Sequence, residues 1–360
     1  MNKIIDKLSQ TDDTNIESVS EVATPKEIID RNPITKEVAK FVETSRLSVA
    51  NIIAWTDERV FVTVWPCSIH NPNEALEYAK HIKEMQAKFP NLLLVMRVYF
   101  EKPRTSVGWK WMINDPHLDG SYDVETWLEQ ARELLLEINE MWVPVATEFL
   151  DTLSPQYFAD LITWWAIWAR TTESQLHREL ASGLSAPIGF KNWTDGWMDI
   201  AINAIKSASN PHNFLSVSKE WKIWIVKTTW NKNLHAILRW WNNWTNYDEK
   251  SVNEIIQKLE KNNINSWIMV DCSHANAQGD FKNQEKVCLE VARQIENWNK
   301  KIMSVMIESN IVEWNQKFNP ETDDKTKLIP GLSITDACVD IATTCEMLLV
   351  LDKAVEKRRT

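Results

Sequence analysis

The chain reads as a (β/α)8 barrel with an N-terminal extension and an inserted β-hairpin, and three observations point there. From about residue 60 onward, short apolar runs alternate with amphipathic helical stretches. Setting aside one closely spaced pair, the apolar runs number eight. Each ends near a charged or nucleophilic side chain, as barrel strands do at the mouth that carries chemistry. A doubly wound open sheet would share the alternation; the count of eight favours closure.

Taken in order, residues 1–50 are polar, broken by Pro25 and Pro33, and read as an N-terminal arm with one or two short helices outside the main core. Residues 51–360 form the barrel. Val60-Phe61-Val62-Thr63-Val64 is the first strand, followed by a helix over 74–89 that Asn73 can cap. Runs at 92–98, 143–148, 166–170, 187–191, 236–239, 268–271 and 303–308 supply the other strands. Helices are expected over 124–140, 155–164, 174–182, 195–208, 250–262, 284–297 and 334–355. A long polar loop spans 101–122, and 214–217 with 223–226 read as the inserted hairpin.

Composition narrows the function. With 44% hydrophobic residues the chain can bury a large core, and a net charge of −10 argues against a nucleic-acid binder. No apolar run reaches membrane-spanning length and no secretory leader pattern opens the chain, so a cytoplasmic location is expected. Five Cys without a C-x-x-C pair do not suggest a disulfide framework.

The strands end near Cys67, Arg97, Glu148, Arg170, Lys191, Arg239, the pair Ser273-His274, and Glu308. Lys102 and Arg104 lie on the loop after the second strand. Any one of these cations is most simply an ion pair at a strand end. So many around one mouth of an acidic protein imply an anionic ligand rich in phosphate or carboxylate. Cys67, His274 and Glu308 also suit a divalent transition metal, with Asp336 as a fourth donor. Spacing leaves the plainer alternatives open: a buried thiol in the core, and a carboxylate at a helix start.

Two counts are abnormal. Gly is 7 of 360 residues, against an ordinary share of about 7%. Trp is 20, and many sit at turns: Trp65 beside Pro66, Trp193 in Asn-Trp-Thr-Asp-Gly, Trp230, and the pair Trp240-Trp241. The two residue types together come close to the ordinary share of Gly alone. Gly reaches positive φ without cost and Trp does not, so most of these Trp read as replacements of Gly.

Several stretches resemble class I 3-deoxy-D-arabino-heptulosonate-7-phosphate (DAHP) synthases. They are Pro66-Cys67-Ser68-Ile69-His70, Met96-Arg97-Val98-Tyr99-Phe100-Glu101-Lys102-Pro103-Arg104-Thr105, Ala169-Arg170-Thr171-Thr172-Glu173-Ser174, Gly189-Phe190-Lys191-Asn192 and Asp271-Cys272-Ser273-His274-Ala275-Asn276. The resemblance runs from about residue 25 to the end. It implies condensation of phosphoenolpyruvate with erythrose 4-phosphate, the first step of the shikimate pathway to aromatic amino acids.

It also implies a divalent metal (Mn, Fe, Co or Zn) on Cys67, His274, Glu308 and Asp336. Arg97, Lys102, Arg170, Lys191 and Arg239 would hold phosphoenolpyruvate, and Arg104 and Thr105 the erythrose phosphate. Glu148 would orient cations and water, and Lys102 is a plausible proton donor. The related 3-deoxy-octulosonate phosphate synthases share the first motif, but the Lys-Pro-Arg-Thr loop favours the DAHP enzyme. A homodimer or homotetramer is expected, with feedback inhibition by an aromatic amino acid through the arm and the segment around Ser185.

Eighteen of the twenty Trp, all but Trp109 and Trp164, stand where that family has or accepts Gly. One cause fits: UGA codons that the cell reads as Gly. With genuine Trp at these positions, overpacking at about 1–3 kcal/mol per site would yield a non-catalytic or misfolded product.

Overall fold

The computed structural model describes residues 3–4, 13–101, 112, 115–192, 198–239, 245–264, 267–297 and 299–360. Eight parallel strands close into a barrel: Val60–Trp65, Leu92–Arg97, Val145–Glu148, Trp164–Ile167, Ile188–Lys191, Leu234–Leu238, Ile268–Asp271 and Ile302–Glu308. Each pairs with its sequence neighbour, and the last returns to the first along Ser304↔Phe61 to Glu308↔Trp65. The expected (β/α)8 architecture is therefore the observed one, and Asn213–Val217 with Ile223–Lys227 form the expected antiparallel hairpin.

Local chemistry starts most helices. Thr24, Asn71, Asp123, Ser174, Asp248 and Asp340 each accept a first-turn N–H at a helix start. Asn71 caps the helix Pro72–Lys88 two residues earlier than expected, with Pro72 at the first helical position.

Two elements depart further from expectation. The helix expected over 155–164 is only Pro155–Phe158 followed by a 3₁₀ turn, Ala159–Leu161. Thr163 N donates to Val145 O at 2.8 Å, so the chain already belongs to the sheet there. The fourth strand therefore starts and ends early, and Arg170 falls in the turn beyond it, exposed. The closing helix is Ile341–Arg359, not 334–355. Residues before it run instead as a loop bridged to Ser309 and Trp314 through Val339 and Cys338.

Strand alternation sets the interior. Phe61, Trp164 and His235 fill its lower part, where Trp164 Nε1 donates to His235 Nε2 at 2.9 Å. Gly189 makes that layer possible, because a Cβ there would lie 2.6 Å from both Trp164 and Ile237. Further along the same inward rows come Arg97, Glu148, Lys191 and Asp271, all buried.

The arm is tied to this core. Its second helix is long, Lys36–Ile53, and Val49, Ile52 and Ile53 at its end join the buried cluster of Phe61, Val95 and Trp164. A boundary near residue 50 thus falls inside a helix. Arg132, fully buried, reaches Asn32 O at 2.7 Å, Tyr157 O at 2.8 Å and Asp160 at 2.8 and 3.0 Å.

Candidate active site

The C-terminal ends of the strands bring Cys67, Arg97, Glu148, Lys191, Arg239, His274 and Glu308 to one mouth. Cys67 sits two residues past the first strand, and its thiol donates to Asp336 Oδ2 at 3.3 Å. Cys67, Glu308 and Asp336 each place a donor atom within 4.8 Å of the others. Asp336 arrives on the loop before the last helix, which Ser68 helps hold through its hydroxyl contact with Thr335 at 3.0 Å. Glu308 ends the eighth strand. Ser273 Oγ donates to its Oε2 at 2.8 Å. Gln284 locks its backbone from both sides: Nε2 to Glu308 O at 2.9 Å, Glu308 N to Oε1 at 2.8 Å.

His274 adjoins this group rather than completing it. Its Nε2 is 3.2 Å from Glu308 Oε1 and its Nδ1 is 3.0 Å from Asp271 Oδ2. Its backbone takes φ 54° just after the seventh strand, in a turn that Asp271 pins by accepting Ser273 N at 3.0 Å. Both ring nitrogens and Glu308 Oε1 are buried, yet no hydrogen bond of good geometry reaches them from the described residues. Such atoms are costly unless something else engages them. A thiol and two carboxylates within 4.8 Å of one another, with an imidazole adjoining, fit a divalent transition ion in their donor chemistry.

The cations lie alongside this group. Lys191 is fully buried, its Nζ 3.2 Å from Asp271 Oδ2. Burial pushes its pKa down to about 8, opposed by the Asp271 charge. Burial alone would raise Asp271, but His274 and Lys191 hold it well below the usual carboxylate range. Arg97 lies over the Tyr99 ring at 3.4 Å and 3.9 Å from Glu308. Arg239 is positioned by its own N–H, which donates to Asn192 Oδ1 at 2.9 Å. Glu148, at the end of the third strand, is buried. Lys102, Arg104 and Thr105 lie outside the described residues.

A cavity of about 710 Å³ opens over Arg239, Ser273, His274, Glu308 and Asp336. A second, of about 730 Å³, lies between the second arm helix and the barrel, beside Arg46, Asp160, Ser185 and Lys232.

Sequence reasoning passed over Asp271, Gln284 and Asn192 as site residues. Asp271 could have been found: it is a carboxylate ending a strand, on the inward row of Met269. Gln284 could not, because its role is visible only once helix Asn283–Glu296 packs beside the eighth strand.

Comparison with known proteins agrees with this geometry. The profile of the DAHP synthetase I family matches residues 31–348. The Phe-sensitive phospho-2-dehydro-3-deoxyheptonate aldolase of Escherichia coli K12 is 46% identical over 351 residues, covering 97% of this chain and 99% of that protein. The Tyr-sensitive one of the same strain is 46% identical over 326 residues, covering 90% of each. A solved structure of the Francisella tularensis SCHU S4 phospho-2-dehydro-3-deoxyheptonate aldolase superposes with a TM-score of 0.91 at 48% identity, over 95% of this chain and 99% of that one. Matched along nearly its whole length in sequence and in fold, this chain belongs to the DAHP synthetase I family.

Proposed function

We propose that this protein condenses phosphoenolpyruvate with D-erythrose 4-phosphate and water to give DAHP and phosphate, opening the route to aromatic amino acids. The observation that carries the reading is the mouth itself. A Cys67–Glu308–Asp336 donor group stands beside buried Lys191 and Arg97 in a chain of this family.

Cys67, Glu308 and Asp336, with His274 adjoining, would hold a divalent ion, which when bound supplies Lewis-acid polarisation of the aldehyde oxygen. Arg97, Lys191 and Arg239 offset the negative charge of phosphoenolpyruvate and orient its enol carbon. Arg170, on the exposed turn after the fourth strand, suits an outer contact to the same substrate. Glu148 orients these cations and the water that adds to the carbon left electron-poor by the new C–C bond. Arg104 and Thr105 take the phosphate of the erythrose, and Lys102 gives its proton to the new alkoxide. Asp271 keeps Lys191 charged and His274 oriented.

For regulation, the cavity beside Ser185 suits an aromatic amino acid effector, since Arg46, Lys232 and Asp160 around it can pair with both charges of a zwitterion. A homodimer or homotetramer in the cytoplasm completes the reading. The exposed pair Leu215 and Ile225, cross-strand partners on the hairpin, supports a second copy packing there. Among the described residues, no helix is long and apolar enough to cross a membrane.

The test is product formation by the chain with glycine at the eighteen suspect positions, with Mn, Fe, Co and Zn in turn, and with Phe, Tyr and Trp as inhibitors. Metal-dependent DAHP from erythrose 4-phosphate is expected. An octulosonate product from a five-carbon sugar phosphate, with none from erythrose 4-phosphate, would overturn the reading in favour of the related synthase.

A further inference from the structure

Among the described residues, ten other than glycine hold φ above zero, and four are Trp: Trp55 at 58°, Trp142 at 64°, Trp221 at 55° and Trp314 at 86°. Glycine occupies that region freely and Asn enters it at moderate cost, but it is an outlier for a bulky side chain. Hydrogen bonds explain why the backbone goes there.

Helix Lys36–Ile53 ends with Trp55 N donating to Ile52 O at 3.1 Å and Thr56 N to Asn51 O at 2.9 Å. Helix Val124–Glu140 ends alike, with Trp142 N to Asn139 O at 2.9 Å and Val143 N to Ile138 O at 3.3 Å. These are Schellman motifs, whose left-handed position is usually glycine and sometimes Asn. A third copy, after helix Glu249–Lys261, has Asn263 at that position with φ 54°. Trp221 closes the hairpin loop, donating to Ser218 O at 3.1 Å while Ser218 N donates to Lys222 O at 2.8 Å. A turn followed by a left-handed residue is again glycine's place. The same residue type thus recurs at separate turns that share a glycine backbone.

Trp168 brings the same question into the site. Its ring centroid is 4.3 Å from Lys191 Nζ and 4.9 Å from Arg239 Cζ, and the ring stands edge-on to His274 at 5.3 Å. The indole face covers the cations that an anionic substrate would need, and it is itself 5% exposed.

We propose that Trp at the eighteen suspect positions stands for glycine in the working protein, and that position 168 controls access to the site. As glycine it leaves the faces of Lys191 and Arg239 open to an anionic substrate group; as Trp it closes them. The inference rests on the DAHP synthase reading and adds to it the residue that admits phosphoenolpyruvate.

Two chains test it: one with glycine at all eighteen positions, and one identical except that Trp168 is kept. Phosphoenolpyruvate is titrated into each by calorimetry, with circular dichroism showing that both are folded. The chain keeping Trp168 should bind at least tenfold more weakly; equal affinity overturns the role of position 168. In the native gene the eighteen codons should be UGA, with UGG at Trp109 and Trp164; UGG at most of the eighteen overturns the substitution. If the all-glycine chain binds phosphoenolpyruvate but makes no DAHP, the functional reading falls and this inference stands. If DAHP forms equally well with Trp168 kept, this inference falls and the functional reading stands.

Discussion

Lys191 Nζ lies 3.2 Å from Asp271 Oδ2, and neither side chain reaches solvent. Each compensates the other's burial, so the pair behaves as one unit. Asp271→Asn leaves a buried ammonium without its counter-charge. The expected loss is about 3–5 kcal/mol of unfolding free energy by denaturant titration, far more than an exposed pair would show. Phosphoenolpyruvate affinity should fall as well, because Lys191 then deprotonates more readily.

The same lysine sets a pH signature of two signs. Its folded pKa of about 8 lies below its ordinary 10.5. Between these values the unfolded chain binds more protons than the folded one. This group's contribution therefore makes stability rise with pH from about 8 to 10.5. Anion binding needs the charged form and should weaken as pH rises through about 8. Calorimetric titrations of phosphoenolpyruvate and melting curves from pH 7 to 10 should move in opposite directions, and Lys191→Met should remove both trends.

Metal dependence should map onto the donor group. Cys67→Ala and Asp336→Asn should each lower bound metal, measured by elemental analysis after dialysis, and reduce DAHP formation by at least a hundredfold. Chelation of the glycine-restored enzyme should abolish turnover reversibly. Gln284→Ala should weaken metal binding about 10–100-fold without removing a donor, because Gln284 only fixes the Glu308 backbone.

Arg132 joins arm and barrel from a fully buried position, through Asn32 O, Tyr157 O and Asp160. Arg132→Met should free the arm. Limited proteolysis near residues 32–35 should accelerate, while the far-ultraviolet spectrum of the barrel stays unchanged. Unaltered cleavage would show that the helix Lys36–Ile53 holds the arm by itself.

Two Trp substitutions should have opposite signs. Trp55→Gly relieves a left-handed backbone at 58° and should raise the melting temperature. Trp164→Gly empties the barrel interior and leaves His235 Nε2 without its donor, costing roughly 3–5 kcal/mol. A loss of stability from Trp55→Gly would contradict the reading of that turn.

The sequence by itself determined the eight-strand alternation, the hairpin, and the strand-end placement of Cys67, Arg97, Glu148, Lys191 and Glu308. Period-two patterning and turn chemistry are local properties, and motif stretches travel intact. It misjudged where the fourth strand begins, because the Thr163 N–H to Val145 O bond that starts it is a contact between strands. It also extended the last helix backward over residues that instead bridge to Ser309 and Trp314.

Only the tertiary structure decided which donors meet. Cys67, Glu308 and Asp336 converge across the mouth while His274 turns to Asp271 and Glu308. It also brought Gln284 beneath Glu308, and showed that the abnormal Trp at 55, 142, 221 and 314 sit on glycine's backbone. Those facts depend on distances between segments far apart in the chain and on φ angles set by closure of the turns, which composition can suggest but not measure.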